Sequence, residues 1–234
     1  MRPLQLQCIA SLKSNPLYVY TVYTKKMSTS VVVTIFTVID GTLSVLLIER
    51  SEEPFKGIWA LPGGLLQPTE TLDAAATRKL KEETGIQDVF LEQLYTFDHL
   101  DQVKTDTTVA YFALVHSADA KLREELEWKP EWFPFNTLGL LGFENHIILE
   151  NAKDRLRSKL EYTNIAYSVL PVYFTLSEMQ LAYEAIREEP LDKRNFRKKV
   201  IGLDIIQETG QLQKQGAHRP AKLYRFKQKN QILI

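Results

Sequence analysis

Glu82 and Glu83 stand side by side in a stretch that reads as a helix, with Arg78 one turn before them and Glu70 ahead of the helix start. Carboxylates so placed are hard oxygen donors for a divalent cation, and a cation held there activates water for hydrolysis. At 3.6 residues per turn, positions 79, 82 and 83 fall within an arc of about 100°, and position 79 is a lysine. Lys79 lies one turn from both glutamates and pairs with either, which sets a cation where a metal cluster needs an anion. The pattern argues against efficient hydrolysis and leaves Glu82 and Glu83 as weak metal ligands. A second set of side chains lies near the C-terminus. Lys193, Arg194, Asn195, Arg197 and Lys198 follow Asp192, with Arg219 and Lys222 beyond them. Arginine and asparagine read the edges of guanine and adenine, while lysines hold phosphates.

These groups need positioning elements. Residues 31–39 and 43–49 are β-rich runs around Asp40-Gly41, a pair that favours the type I′ turn of a hairpin. After a loop with Pro54 and Gly57, residues 71–84 read as a helix, with apolar Leu72, Ala75, Ala76 and Leu80 and with Gly85 at its end. Further β-rich runs follow at 89–97 and 107–115, and a second helical segment at 143–160. Thr175 and Glu178 form a capping box, with Phe174 and Met179 at the staple positions, so a helix is predicted from 176 to about 188, ahead of Pro190. Asp192 then caps a helix with Phe196, Val200 and Leu203 inside and the basic residues outside. A short run at 205–208, a loop from Gly210 to Arg219 and an alternating strand at 221–226 complete a winged helix-turn-helix.

The charge is divided in the same way. The 234 residues balance 29 basic against 29 acidic side chains, but residues 1–150 carry a net −7 and residues 151–234 a net +7. Within 191–234 there are 11 basic and 3 acidic residues, which points that end toward a polyanion. Cys8 is the single cysteine, so no intrachain disulfide forms, and His99, His116, His146 and His218 lack metal-ligand spacing. No apolar run approaches the roughly 18 residues that span a bilayer, and the expected compartment is the cytoplasm, with no membrane partner.

Gly64, Glu70, Arg78, Leu80, Glu82, Glu83, Gly85 and Ile86 follow the spacing G-x5-E-x7-R-x-U-x-E-E-x-G-U, where U is aliphatic, and over residues 28 to 150 the chain resembles a Nudix domain. That family holds a divalent metal, usually Mg²⁺, against a nucleoside diphosphate linked to another group, and it has glutamate where this chain has Lys79. Beyond it, Leu156-Arg-x-Lys-Leu-Glu-Tyr-Thr163, Phe174-Thr-Leu-x-Glu178, Pro190-Leu-Asp-Lys-Arg-Asn-Phe-Arg197 and Gly216-x-x-Arg219-Pro-Ala-x-Leu-Tyr224 make the whole similar to the Nudix-related transcriptional regulators of NAD metabolism, the NrtR family. The resemblance implies an α+β fold, a Nudix mixed sheet sandwiched by helices followed by a winged helix-turn-helix. It divides the chain into an arm at 1–27, an effector domain at 28–155 and a DNA-binding domain at 156–234.

It further implies a homodimeric repressor of NAD biosynthesis or salvage genes that leaves a palindromic operator when ADP-ribose or a related nucleotide binds against Arg50, Trp59, Glu70, Arg78, Glu82 and Glu83. No cofactor is required, with Mg²⁺ as a companion of bound nucleotide at most. The segment Phe97-Asp-His-Leu-Asp-Gln102 lacks the Arg-Asp-Pro-Arg-like run expected after the box, which keeps a sugar-sensing regulator of the same architecture open. An active ADP-ribose pyrophosphatase with an accessory basic domain is the other alternative.

Overall fold

The computed structural model describes residues 28–98, 107–123, 127–213, 220–228 and 230–234. The N-terminal arm, His99, His218, Arg219 and most of the segment after Phe97 lie outside these residues. The chain opens with the expected hairpin, β1 (Thr29–Ile39) and β2 (Thr42–Glu49), turned at Asp40 and Gly41, which both take positive φ. Two short strands follow, β3 (Trp59–Ala60) on β2 and β4 (Gly63–Leu65) on β1. Helix α1 (Leu72–Thr84) starts where the Thr71 hydroxyl accepts the Ala74 amide and stops at Gly85, whose φ of 81° a side chain would resist. β5 (Glu92–Asp98) and β6 (Thr107–Leu114) extend the sheet, β6 running parallel to β1. β7 (Pro130–Pro134) pairs with β2. Strands at both orientations thus build one mixed sheet in the order β3-β2-β1-β6-β5.

Helix α2 (Asn145–Tyr162) leads to α3 (Leu176–Arg187), α4 (Lys193–Gly202) and a two-stranded wing, β8 (Ile206–Gln213) and β9 (Ala221–Phe226). Both bonds of the predicted capping box form at α3: the Thr175 hydroxyl accepts the Glu178 amide at 3.1 Å and the Glu178 carboxylate accepts the Thr175 amide at 2.6 Å. Asp192 caps α4 by accepting the Asn195 amide at 2.8 Å. β9 is pinned to the entry of α3 by paired backbone bonds between Phe174 and Tyr224.

One face of the sheet buries Val33, Ile35, Leu46 and Tyr111 under Ala76 and Leu80 of α1. The other buries Phe36, Val45, Leu47 and Phe112 against Ile148, Leu149 and Leu156 of α2, and this core continues without a break through Phe174, Met179 and Phe196 of the C-terminal helices. Each such side chain, fully withdrawn from water, stabilises the fold by about 1.5–3 kcal/mol.

Several expected boundaries move. The β5 strand begins at Glu92 rather than at 89, after Asp88 takes a left-handed φ of 58°. The second helical segment starts at Asn145 rather than at 143, because Phe143 and Glu144 are both left-handed, with φ of 56° and 53°. The strand expected at 205–208 runs from Ile206 through Gly210 to Gln213, and most of the loop expected beyond it lies outside the described residues. The domain boundary placed between 155 and 156 falls inside α2, a continuous helix whose buried positions Ala152, Leu156 and Leu160 lie on both sides of it. Among the described residues no helix is long and apolar enough to cross a membrane.

Candidate functional site

α1 presents its charged face to a cavity of about 610 Å³ that is also lined by β4, Arg50, Trp128, Phe143 and the first turn of α2. The predicted charged residues meet there in a network of fixed partners. Arg78 forks onto Glu70, with Nε 3.0 Å from Oε2 and Nη2 2.7 Å from Oε1, and its Nη1 reaches Glu82 at 3.2 Å. These contacts hold the Glu70 carboxyl below its ordinary range and raise the guanidinium pKa of Arg78 further. Lys79 Nζ lies 2.8 Å from Oε1 of Glu83 and 3.6 Å from Oε2 of Glu82. Glu83 is 1% exposed, and its second oxygen accepts the Gly63 amide at 2.9 Å. Burial pushes the Glu83 carboxyl up, while Lys79, the Gly63 amide and Arg50 pull it back.

Arg50 faces this group from the end of β2. Its Nε donates to the Pro54 carbonyl at 2.7 Å, and its guanidinium lies over Phe143 at 4.6 Å and Trp128 at 5.3 Å from the ring centroids. Partial burial lowers its pKa, opposed chiefly by Glu83. The left-handed backbone at Phe143 has a consequence here: it turns this ring under Arg50 and edge-on to Phe55 at 4.8 Å before α2 begins. Asn145, the first residue of α2, is buried and accepts the Leu61 amide at 2.8 Å, which ties the helix start to the strand region beside the cavity.

Trp59 is not part of this lining. It packs edge-on against Phe133 of β7 at 4.6 Å, and the indole at the cavity is Trp128. Arg50, Arg78, Glu82 and Glu83 line the cavity, with Glu70 behind Arg78. Trp128, Phe143 and Asn145 carry no short-range signal that places them there. Among the described residues no group of three or more His, Cys, Asp or Glu is disposed to hold a metal ion. The carboxylates expected as weak ligands are instead engaged by cations of their own helix.

The second constellation lies on α4 and the wing. Phe196 and Val200 are buried, Phe196 edge-on to Tyr183 at 5.2 Å, and Lys193, Arg194, Asn195 and Lys198 are exposed. Arg197 differs from the expectation: it is half-buried and leans onto Ser177 of α3, with Nη2 3.4 Å from the hydroxyl. Lys222 projects from β9 but pairs with Glu208 across the wing at 3.0 Å.

A Nudix sheet and box joined through a shared helix to a winged helix define a class of effector-domain DNA-binding proteins, and comparison with known proteins gives the same division. Residues 28–152 match the NUDIX domain family and residues 166–226 the NrtR DNA-binding winged helix domain. The chain is 40% identical over 198 residues to the ADPR responsive transcriptional repressor NtrR of Acinetobacter baylyi, covering 82% of this chain and 79% of that one. The crystal structure of Shewanella oneidensis NrtR complexed with a 27mer DNA superposes with a TM-score of 0.75 at 32% identity, over 85% of this chain and 93% of that one. The NUDIX domain of the same protein complexed with ADP ribose gives 0.51 at 32% identity, over 56% and 90%. The chain belongs to the NrtR family of Nudix-related transcriptional regulators.

Proposed function

We propose that the chain represses genes of NAD biosynthesis or salvage in the cytoplasm, binding operator DNA through α4 and the wing and leaving it when ADP-ribose or a related nucleotide fills the Nudix cavity. The observation that carries this reading is the joining of an exposed Lys193-Arg194-Asn195 helix start to a cavity in which Arg50, Arg78 and Lys79 stand together. A diphosphate suits a cavity whose Arg50, Arg78 and Lys79 already offset its carboxylates, and a nucleoside moiety suits the aromatic lining of Trp128 and Phe143. The relatives bound to DNA and to ADP ribose support both halves.

A single short recognition helix contacts only a few bases, so the working unit is a homodimer on a pseudo-palindrome with half-sites about one helical turn, or a multiple, apart. Release follows only if the effector prefers the state that does not hold operator, and it cannot exceed that difference in affinity. The test is a gel shift with DNA upstream of NAD genes, titrated with ADP-ribose beside a hydrolysis assay. Loss of the shifted band with little product formation is expected. Robust Mg²⁺-dependent turnover with no operator binding would move the reading to a pyrophosphatase, and release by a sugar instead would redirect the effector.

A further inference from the structure

Glu82 and Glu83 of α1 and Glu70 just before it already have cationic partners. Glu83 is withdrawn from solvent with one oxygen on Lys79 and the other on the Gly63 amide, and Arg78 takes both Glu70 and Glu82. Lys79 itself is wedged in place: a Cβ on Gly64 would lie 2.3 Å from its Cε, so the lysine stem runs directly against the β4 backbone. Its ammonium lies 6.0 Å from the centroid of the Trp128 ring, and Arg50 lines the same cavity. An ammonium has three donors, of which Glu83 takes one.

We infer that Lys79 is a built-in cation standing in for the divalent metal, so that this cavity binds a diphosphate-containing ligand without any metal ion. The inference rests on the effector reading above and adds how the anion is met. A metal-dependent site leaves its carboxylates uncompensated and repels a diphosphate until the ion arrives. Here the cavity lining sets Arg50, Arg78 and Lys79 against Glu52, Glu82 and Glu83, and the balance is already struck by side chains. A divalent ion would have to displace an ammonium from a buried carboxylate, and its charge would oppose Lys79 at close range.

The test is calorimetric titration of the full chain with ADP-ribose in EDTA and in millimolar Mg²⁺, together with Mn²⁺ titration followed by electron paramagnetic resonance. Wild type is expected to bind ADP-ribose with the same affinity, within about twofold, in both buffers and to leave Mn²⁺ free. Lys79→Glu is expected to bind Mn²⁺ and to make ADP-ribose binding at least about tenfold stronger with Mg²⁺ than in EDTA. Wild-type binding that is lost in EDTA, or stoichiometric Mn²⁺ uptake by wild type, overturns the inference. Absence of ADP-ribose binding in both buffers sinks the effector reading instead, and the Mn²⁺ arm on wild type then still decides whether Lys79 bars the metal. Neither wild-type arm depends on the variant folding.

Discussion

Lys79→Met keeps most of the lysine stem against Gly64 and removes the ammonium from Glu83, so it isolates the charge pair from the packing. Removing one partner of a buried ion pair costs about 3–5 kcal/mol when the other charge is left uncompensated. The lower end applies, because Lys79 keeps 19% of its side-chain surface in solvent and because Glu83 can escape by taking up a proton. For a chain of this length each kcal/mol moves the melting temperature by about 2–4 °C, so a drop of roughly 6–12 °C is expected at pH 7.

The pH dependence is more diagnostic than the size. Glu83 is already raised above its ordinary value by burial, so the stability it contributes is present below the unfolded carboxyl range and is lost as pH rises through its folded pKa. Deleting Lys79 removes a cause that lowers this pKa and extends the loss to higher pH. Wild type and Lys79→Met should therefore melt close together near pH 4 and diverge toward pH 7, read by calorimetry across that range. The added change Glu83→Gln, which can still accept the Gly63 amide, should restore part of the loss and flatten the profile. Equal melting temperatures at both ends, or a gap that narrows as pH rises, would refute the argument that Lys79 compensates a buried carboxylate.

Other expectations follow from the same geometry. Arg194→Ala should relax base preference at one position of each half-site, whereas Lys222→Ala should weaken all sequences alike and lower the salt slope by about one, both read by binding isotherms over a salt series. ADP-ribose and operator should weaken each other by the same factor, and equal ligand affinity with and without operator would remove the coupling. Wild type should hydrolyse ADP-ribose barely above background in millimolar Mg²⁺; robust turnover abolished by Glu83→Gln would show that the lysine is tolerated in an enzyme. Asn145→Ala strands the buried Leu61 amide, which should cost about 1–3 kcal/mol in a denaturant melt and diminish the ADP-ribose effect on operator binding.

What was legible in the sequence were elements whose signals are local. The Asp40-Gly41 pair, the periodicity of Leu72, Ala76 and Leu80, and the Thr175 and Glu178 box each specify a conformation within a few residues, and each forms. β3 and β4, of two and three residues, hold no periodicity, and they exist through pairing with β2 and β1. β7 begins and ends with proline, which argues against a strand unless it lies at an edge, and among the described residues it pairs with β2 alone. The start of α2 is hidden for a related reason: nothing in Phe143 or Glu144 announces a left-handed backbone, which accompanies the contacts of the Phe143 ring with Phe55 and Arg50.

The site divides along the same line. Positions 78, 79, 82 and 83 share a helix, so helical geometry alone puts their charges together, whereas Trp128, Phe143 and Asn145 reach the cavity from distant parts of the chain. The boundary between 155 and 156 lies within α2, where the composition changes and the helix runs on. Asn145 and Ile148 line the cavity, while Arg157 of the same helix donates to the Ile186 carbonyl at 3.1 Å and pairs with Glu188 at the end of α3. From Ile148 to Arg157 is about 14 Å at the helical rise, without an intervening loop to absorb movement. The effector cavity and the DNA-facing helices are thus fixed to opposite ends of one stiff element. A ligand that favours one placement of α2 over another must express that preference at α3, and one that fits both placements equally has no means of moving the DNA equilibrium.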